Sequence, residues 1–218
     1  MFSWLTNSAC QIDAEAAEKA KSFPNPAVDA TAEKQAKTAK MVLAGGCFWC
    51  TEAVFERLQG VKSVVSGYAG DSAEKADYKK VSAGSTNHAE AIEITYDPSQ
   101  ISFGQILKVF FSVAHDPTQL NKQGPDWGKQ YRSAIFYANE EQRSVAEAYI
   151  RQIDAAQIFG KKIATTLEKL DKFYPAESYH QDFVKHNPNQ GYVVANALPK
   201  LEKLKKTYPD LVTDKLAK

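Results

Sequence analysis

The feature that most constrains the fold of this chain is a short apolar run, Met41-Val42-Leu43-Ala44, closed by Gly45-Gly46 and followed at once by Cys47. An apolar run of this length ending in paired glycines reads as a buried strand entering a tight turn. Beyond the turn Cys50, Val54, Phe55 and Leu58 recur at helical spacing until Gly60 stops the pattern. Cys47 is therefore expected at or next to the N-terminus of a helix that leaves a central strand. Unpaired backbone N–H groups and the helix dipole favour an anion there, so the position predicts a thiol pKa well below the free value of about 8.5. The thiolate is the nucleophile, and the glycines allow tight backbone geometry beside the sulfur.

Cys50 completes a Cys47-Phe48-Trp49-Cys50 motif. Residues i and i+3 share a helix face at roughly 5–6 Å, within the separation a disulfide requires. Three cysteines, Cys10 being the third, are too few for a disulfide scaffold and odd in number, which points to a reactive thiol or to plain burial. Two inert core cysteines would give the same spacing. A zinc site joining the pair to His180 and His186 would need ligand pairs far closer in sequence. A disulfide exchanger of the thioredoxin kind is the stronger rival. Against it stand Phe48 and Trp49, two aromatics that suggest an apolar pocket for a small group such as a methyl on sulfur.

Val61 to Tyr68 is β-branched and reads as a second strand, and His88 to Tyr96 alternates strictly as a third. Ser102 is the expected N-cap of an amphipathic helix running to Val113. A strand over 133–137, a long helix over 140–159, a strand around 163–167 and a final helix over 199–208 follow. One helix often separates pairs of strands, which predicts an α+β fold, a two-layer sandwich whose mixed sheet is covered by helices around a ferredoxin-like core. Residues 1–40 lack a periodic apolar face and are expected to form a flexible tail, with order beginning at Met41.

Within the third strand, period two puts Glu90 on the face of Ile92, Ile94 and Tyr96, while Glu93 lies on the other. If the isoleucine face is the core face, desolvation raises the pKa of Glu90, and a carboxyl protonated near neutral pH is what a general acid needs. A solvated strand end or a basic partner would instead make Glu90 structural. The segment from Gly124 to Arg132 reads as a loop able to present Asp126 and Tyr131 to a site, and the Tyr78 phenol could donate to an oxygen.

A formal net charge of +1, from 27 basic and 26 acidic side chains, leaves no electrostatic footprint for nucleic acid or an anionic membrane. No apolar run approaches the length that spans a bilayer. The apolar Met1–Leu5 segment is broken by Thr6, Asn7 and Ser8, too short for a signal-peptide core, and Asp13, Glu15 and Glu18 oppose a transit peptide. A cytoplasmic location is expected.

The run Gly45-Gly46-Cys47-Phe48-Trp49-Cys50-Thr51-Glu52-Ala53-Val54-Phe55 resembles the signature of the A-type peptide methionine sulfoxide reductases. The similarity continues through Gly67-Tyr68-Ala69-Gly70, Tyr78, Gly84, His88-Ala89-Glu90-Ala91, His115-Asp116-Pro117, Asp126 and Gln130-Tyr131-Arg132-Ser133. It ends with Tyr174-Pro175-Ala176-Glu177 and Tyr179-His180-Gln181. The resemblance implies reduction of the S-epimer of methionine sulfoxide, free or in oxidised proteins. It implies Cys47 as nucleophile, Glu90 as acid, Phe48 and Trp49 around the methyl, and Tyr78, Asp126 and Tyr131 around the sulfoxide oxygen. It also implies thioredoxin or another dithiol as external reductant, with no metal and no bound organic cofactor. Residues 41–208 then form the catalytic domain and 209–218 a C-terminal tail. One departure matters: many members carry a recycling cysteine in a Gly-Tyr-Cys, whereas Gly191-Tyr192 is followed here by Val193. Resolution falls to Cys50, to Cys10 or to an external thiol.

Overall fold

The structure, a computed structural model, describes residues 23–31 and 36–213. Its strands are β1 (Ala39–Gly45), β2 (Val61–Ala69), β3 (Ala89–Tyr96), β4 (Lys122–Gln123), β5 (Asp126–Trp127), β6 (Ser133–Tyr137), β7 (Thr166–Lys169) and β8 (Phe173–Pro175). Its helices are α1 (Phe48–Phe55), α2 (Tyr78–Ser82), α3 (Phe103–Val109), α4 (Glu140–Ala155), α5 (Phe183–His186) and α6 (Leu198–Thr207). Six strands make one sheet in the order β7-β6-β1-β3-β2-β8, and β4 and β5 form a separate hairpin. Within the large sheet only β6 and β7 run parallel. The four-strand core β6-β1-β3-β2 is a split βαβ arrangement, with β3 inserted between β1 and β2. The expected α+β class and ferredoxin-like core are what the chain forms.

The two faces of the sheet differ because period two sorts the side chains. Met41, Leu43, Ile92, Ile94 and Ile135 point into the main core, where Val54, Phe55, Ile106, Phe110 and Tyr149 of the helical layer meet them. Val42, Ala44, Ala69, Ala89, Ala91 and Ala134 face the other way, a surface of small side chains covered by Phe136, Leu170 and Phe173. Phe48, Val54 and Phe55 of α1 are at most 1% exposed. Burying a side chain of this size stabilises by about 1.5–3 kcal/mol, so packing holds α1 against the sheet.

Ser102 caps α3 as expected, with a reciprocal bond from Gln105. The helix then widens into a π turn over Phe110–Ala114, all of it buried. The long helix stops at Ala155, short of 159, where Gln157 and then Gly160 take left-handed conformations. The strand expected around 163–167 lies at Thr166–Lys169.

The tail boundaries need correction. Phe23 and Ala30 are 5% and 4% exposed, and Tyr149 Oη donates to the Pro24 carbonyl at 2.9 Å. Asp29 accepts from the Ser102 hydroxyl and the Gly104 amide at the head of α3, where a carboxylate suits the helix dipole. The sheet begins at Ala39, two residues before Met41. At the other end Leu58 bridges Val212 and Thr213 N donates to the Arg57 carbonyl. Residues 1–22, including Cys10, and 214–218 lie outside the described residues.

Candidate active site

The turn between β1 and α1 places both thiols. Gly46 has φ +88°, and a Cβ there would stand 2.5 Å from Gln123 Cγ. Only glycine accommodates both the left-handed backbone and the approach of β4. Cys47 follows as the N-cap residue of α1, without a side-chain cap bond, and its carbonyl accepts from Cys50 N at 3.1 Å. Cys47 is 7% exposed and Cys50 1%. Their thiols share a hydrogen bond, and the Tyr192 hydroxyl lies within hydrogen-bond reach of both.

The depressed Cys47 pKa expected from the helix N-terminus is not found. Burial pushes this thiol up, the hydrogen bond with Cys50 and the nearby Glu90 carboxylate add to it, and together they outweigh the dipole. The depressed thiol is Cys50, brought down to about 7 by its bond with Cys47, against burial, with Lys200 and Tyr192 contributing.

Glu90 lies on the core face of β3, 2% exposed and in register with Tyr68 of β2. Its Oε2 accepts from Phe48 N, the first amide of α1, at 3.1 Å. Burial overrides that bond and pushes the carboxyl up to about 8, so it carries a proton at neutral pH. Glu93, on the opposite face, pairs with Lys40 at 2.7 Å near solvent. The strand alternation separated the two correctly.

Phe48 and Trp49 stand beside the thiols with ring centroids 6.2 Å apart. Phe48 is buried against Tyr68 and His180. Trp49 stacks on Phe183 at 3.7 Å, and its Nε1 donates to His180 Nδ1 at 3.0 Å. That bond commits Nδ1 as an acceptor and leaves the proton on Nε2, so the ring anchors an indole; burial keeps it neutral. Among the described residues no group of His, Cys, Asp and Glu is arranged to hold a metal ion.

Tyr78 and Tyr131 also border the site, Tyr78 with its ring 4.3 Å from that of His180. Burial and then the charge of Glu90 push both phenols up, Tyr78 to about 12, so both remain hydrogen-bond donors. Asp126 enters from the β4–β5 hairpin, and its Oδ2 accepts from Tyr192 Oη at 2.5 Å. Gln130 ties this loop to α2 by donating to the Ser82 carbonyl, and Arg132 grips Glu168 through two bonds of 2.9 and 2.8 Å.

All eight residues singled out from the sequence are thus drawn to one end of the sheet. Four were missed as site residues. Glu177 accepts from Tyr68 Oη at 2.8 Å and Tyr78 N at 3.0 Å, fixing both tyrosines. His180 and Phe183 fix Trp49, and Tyr192 joins the thiols to Asp126. Glu177 and His180 lie within motifs that carry the resemblance, and Tyr192 lies within Gly191-Tyr192, but nothing local in the sequence signals the contacts they make.

A reactive thiol pair facing a protonated carboxyl and an aromatic cage defines a thiol oxidoreductase acting on a small, partly apolar group. The model of the family described as "Peptide methionine sulfoxide reductase" matches residues 39–211. The chain is 53% identical to peptide methionine sulfoxide reductase MsrA 2 of Synechocystis over 192 residues, covering 87% of this chain and 90% of that protein. It is 49% identical to MsrA of Deinococcus radiodurans over 169 residues, 78% of this chain and 82% of that one. Among solved structures, reduced Mxr1 of Saccharomyces cerevisiae superposes with a TM-score of 0.64 at 36% identity, covering 72% of this chain and 90% of the other. Methionine sulfoxide reductase A of Corynebacterium diphtheriae gives 0.61 at 34%, covering 76% and 82%. The chain belongs to the peptide methionine sulfoxide reductase family, and its relatives place it among the A-type oxidoreductases.

Proposed function

We propose that Cys47 attacks the sulfur of methionine S-sulfoxide while Glu90 protonates its oxygen. The observation that carries this reading is the buried Glu90 carboxyl, protonated to about pH 8, at the same helix N-terminus as Cys47. Methionine departs and Cys47 is left as a sulfenic acid. The sulfoxide sulfur is a stereocentre, and three unlike kinds of group gather near Cys47. Phe48 and Trp49 suit the methyl, Glu90, Tyr78 and Tyr131 the oxygen, and Cys47 the line of attack. Asp126, through Tyr192, completes the polar side. One epimer fits such a site; the family resemblance makes it the S form, free or in oxidised proteins.

Cys50 is the thiol that resolves the sulfenic acid. Its bond with Cys47 supports this, and Val193 supports it further: at the place of the recycling cysteine of many relatives, this side chain is fully buried in a π turn over Val193–Ala197. Thioredoxin, or another dithiol, reduces the Cys47–Cys50 disulfide, consistent with a reducing cytoplasmic setting. The chemistry requires no bound metal or organic cofactor. Among the described residues no helix is long and apolar enough to cross a membrane.

The two epimers of a dabsylated methionine sulfoxide test the scheme. The wild type should reduce the S form alone, and Cys47→Ser should reduce neither; turnover by that variant would overturn the assignment of the nucleophile. Cys50→Ser should release one methionine per chain and then stall with thioredoxin as reductant. Full thioredoxin-linked cycling in Cys50→Ser would exclude it as the resolving thiol.

A further inference from the structure

The resolving step needs Cys50 as a thiolate in a buried place, and burial works against that charge. Every group that acts on it is held by a different element. Cys47, on its own helix, and Tyr192, ahead of α6, offer hydrogen bonds. Asp126 of β5 and Glu90 of β3 oppose the charge, the second only once it has lost its proton. Lys200, in the first turn of α6, supplies the positive charge. A pocket of about 60 Å³ opens between these elements, lined by Cys47, Cys50, Asp126, Tyr192 and Lys200 among others. Lys200 is half-buried there, and its charge also reaches Asp126.

The balance among these groups changes during the reaction. In the reduced site the largest support for a Cys50 thiolate is the Cys47 thiol. Oxidation of Cys47 to the sulfenic acid replaces that S–H by an O–H on the oxygen that must itself take up a proton and leave, so this support is lost within the resolving step. Lys200 is untouched by this change.

We infer that Lys200 is a positioning residue for the resolving step, holding Cys50 as the attacking thiolate once Cys47 has been oxidised. The inference rests on Cys50 being the resolving thiol. In the step itself Cys50 gives up its proton and its sulfur attacks the Cys47 sulfur. The S–S bond forms as the S–O bond breaks, and the departing hydroxyl takes up one proton to leave as water. The Cys50 sulfur is oxidised and the Cys47 sulfur reduced, each to the disulfide level, so atoms and electrons balance without an added reagent.

Single-turnover mixing of the full chain with methionine sulfoxide tests this. The sulfenic acid is trapped and the disulfide counted by mass spectrometry across pH 5.5–9. Lys200→Met should move the pH profile of disulfide formation upward, and at pH 6.5 lower its rate about three- to tenfold relative to methionine release in the same reaction. Lys200→Arg should restore the wild-type profile, which a purely structural role for the side chain would not require. A Cys47–Cys50 bond that forms with an unshifted profile in Lys200→Met would overturn this inference and leave the resolving assignment standing. A Cys10–Cys47 bond would overturn both.

Discussion

Glu90 shows how a single side chain is tuned by its place in a strand. It shares the inner face of β3 with two isoleucines, and burial raises its carboxyl to about 8 although an amide points at it. The proposed acid works while protonated and the nucleophile as a thiolate, and Cys47 titrates above Glu90, so methionine release should rise with pH up to about 8 and level off there, where Glu90 begins to lose its proton. Glu90→Gln should slow that release by roughly 10²–10⁴ and remove the break near 8, because the amide does not titrate there. Stopped-flow measurement of methionine release against pH checks both; an unchanged rate would make Glu90 structural. This residue was legible in the sequence because period two is a local rule. The Cys47 pKa was not: the helix end is a local feature, but the burial that overrides the dipole and the Glu90 charge that adds to it depend on segments distant in sequence, with Tyr192 working the other way.

At the level of elements, the turn after β1 carries most of the constraint. Gly46→Ala forces a left-handed alanine whose Cβ meets Gln123 on β4. Destabilisation of about 1–3 kcal/mol is expected, read as a lower urea midpoint, with slower sulfoxide reduction as the Cys47 N-cap shifts. The long strands and helices were legible because each repeats its apolar period over enough residues to be counted. The short α2, β4, β5, β8 and α5 were not foreseen. Each is held by a partner far away in sequence: α2 by Gln130 donating to the Ser82 carbonyl, β8 by pairing Tyr174 with Tyr68, the β4–β5 hairpin by Tyr192 donating to Asp126, α5 by the stacking of Phe183 on Trp49. The site is assembled largely from these short pieces, so its chemistry was more readable than its scaffolding.

Over the whole molecule, several buried carboxyls hold protons that an unfolded chain would release. Burial raises Glu52, Glu56 and Glu90 from 4.5 to about 8, 7 and 8, with Glu56 adding to Glu52 and Asp182 to Glu56. A raised folded-state pKa gives stability that is complete below the unfolded value and is lost as pH rises through the folded one. His115, driven down to about 3 by burial, works in the other direction, and only below its ordinary 6.5. Glu52→Gln should therefore gain melting temperature relative to the wild type between pH 6 and 9, measured by calorimetry. A difference independent of pH would show that Glu52 is ionised in the folded chain. Because Glu52 and Cys50 share α1, alkaline conditions load the helix that bears the chemistry.

Trp49 adds an optical consequence. Its indole is stacked on Phe183 and hydrogen-bonded to a neutral imidazole, next to Cys50 in the chain and two residues from Cys47, whereas Trp127 is 70% exposed beneath the Lys122 ammonium. With Trp4 and Trp127 replaced by phenylalanine, the remaining emission arises entirely from the reaction chamber. Closing a sulfur bridge across that indole should alter its brightness and wavelength, so each cycle of damage and repair would register as a flicker of ultraviolet light, without any added label.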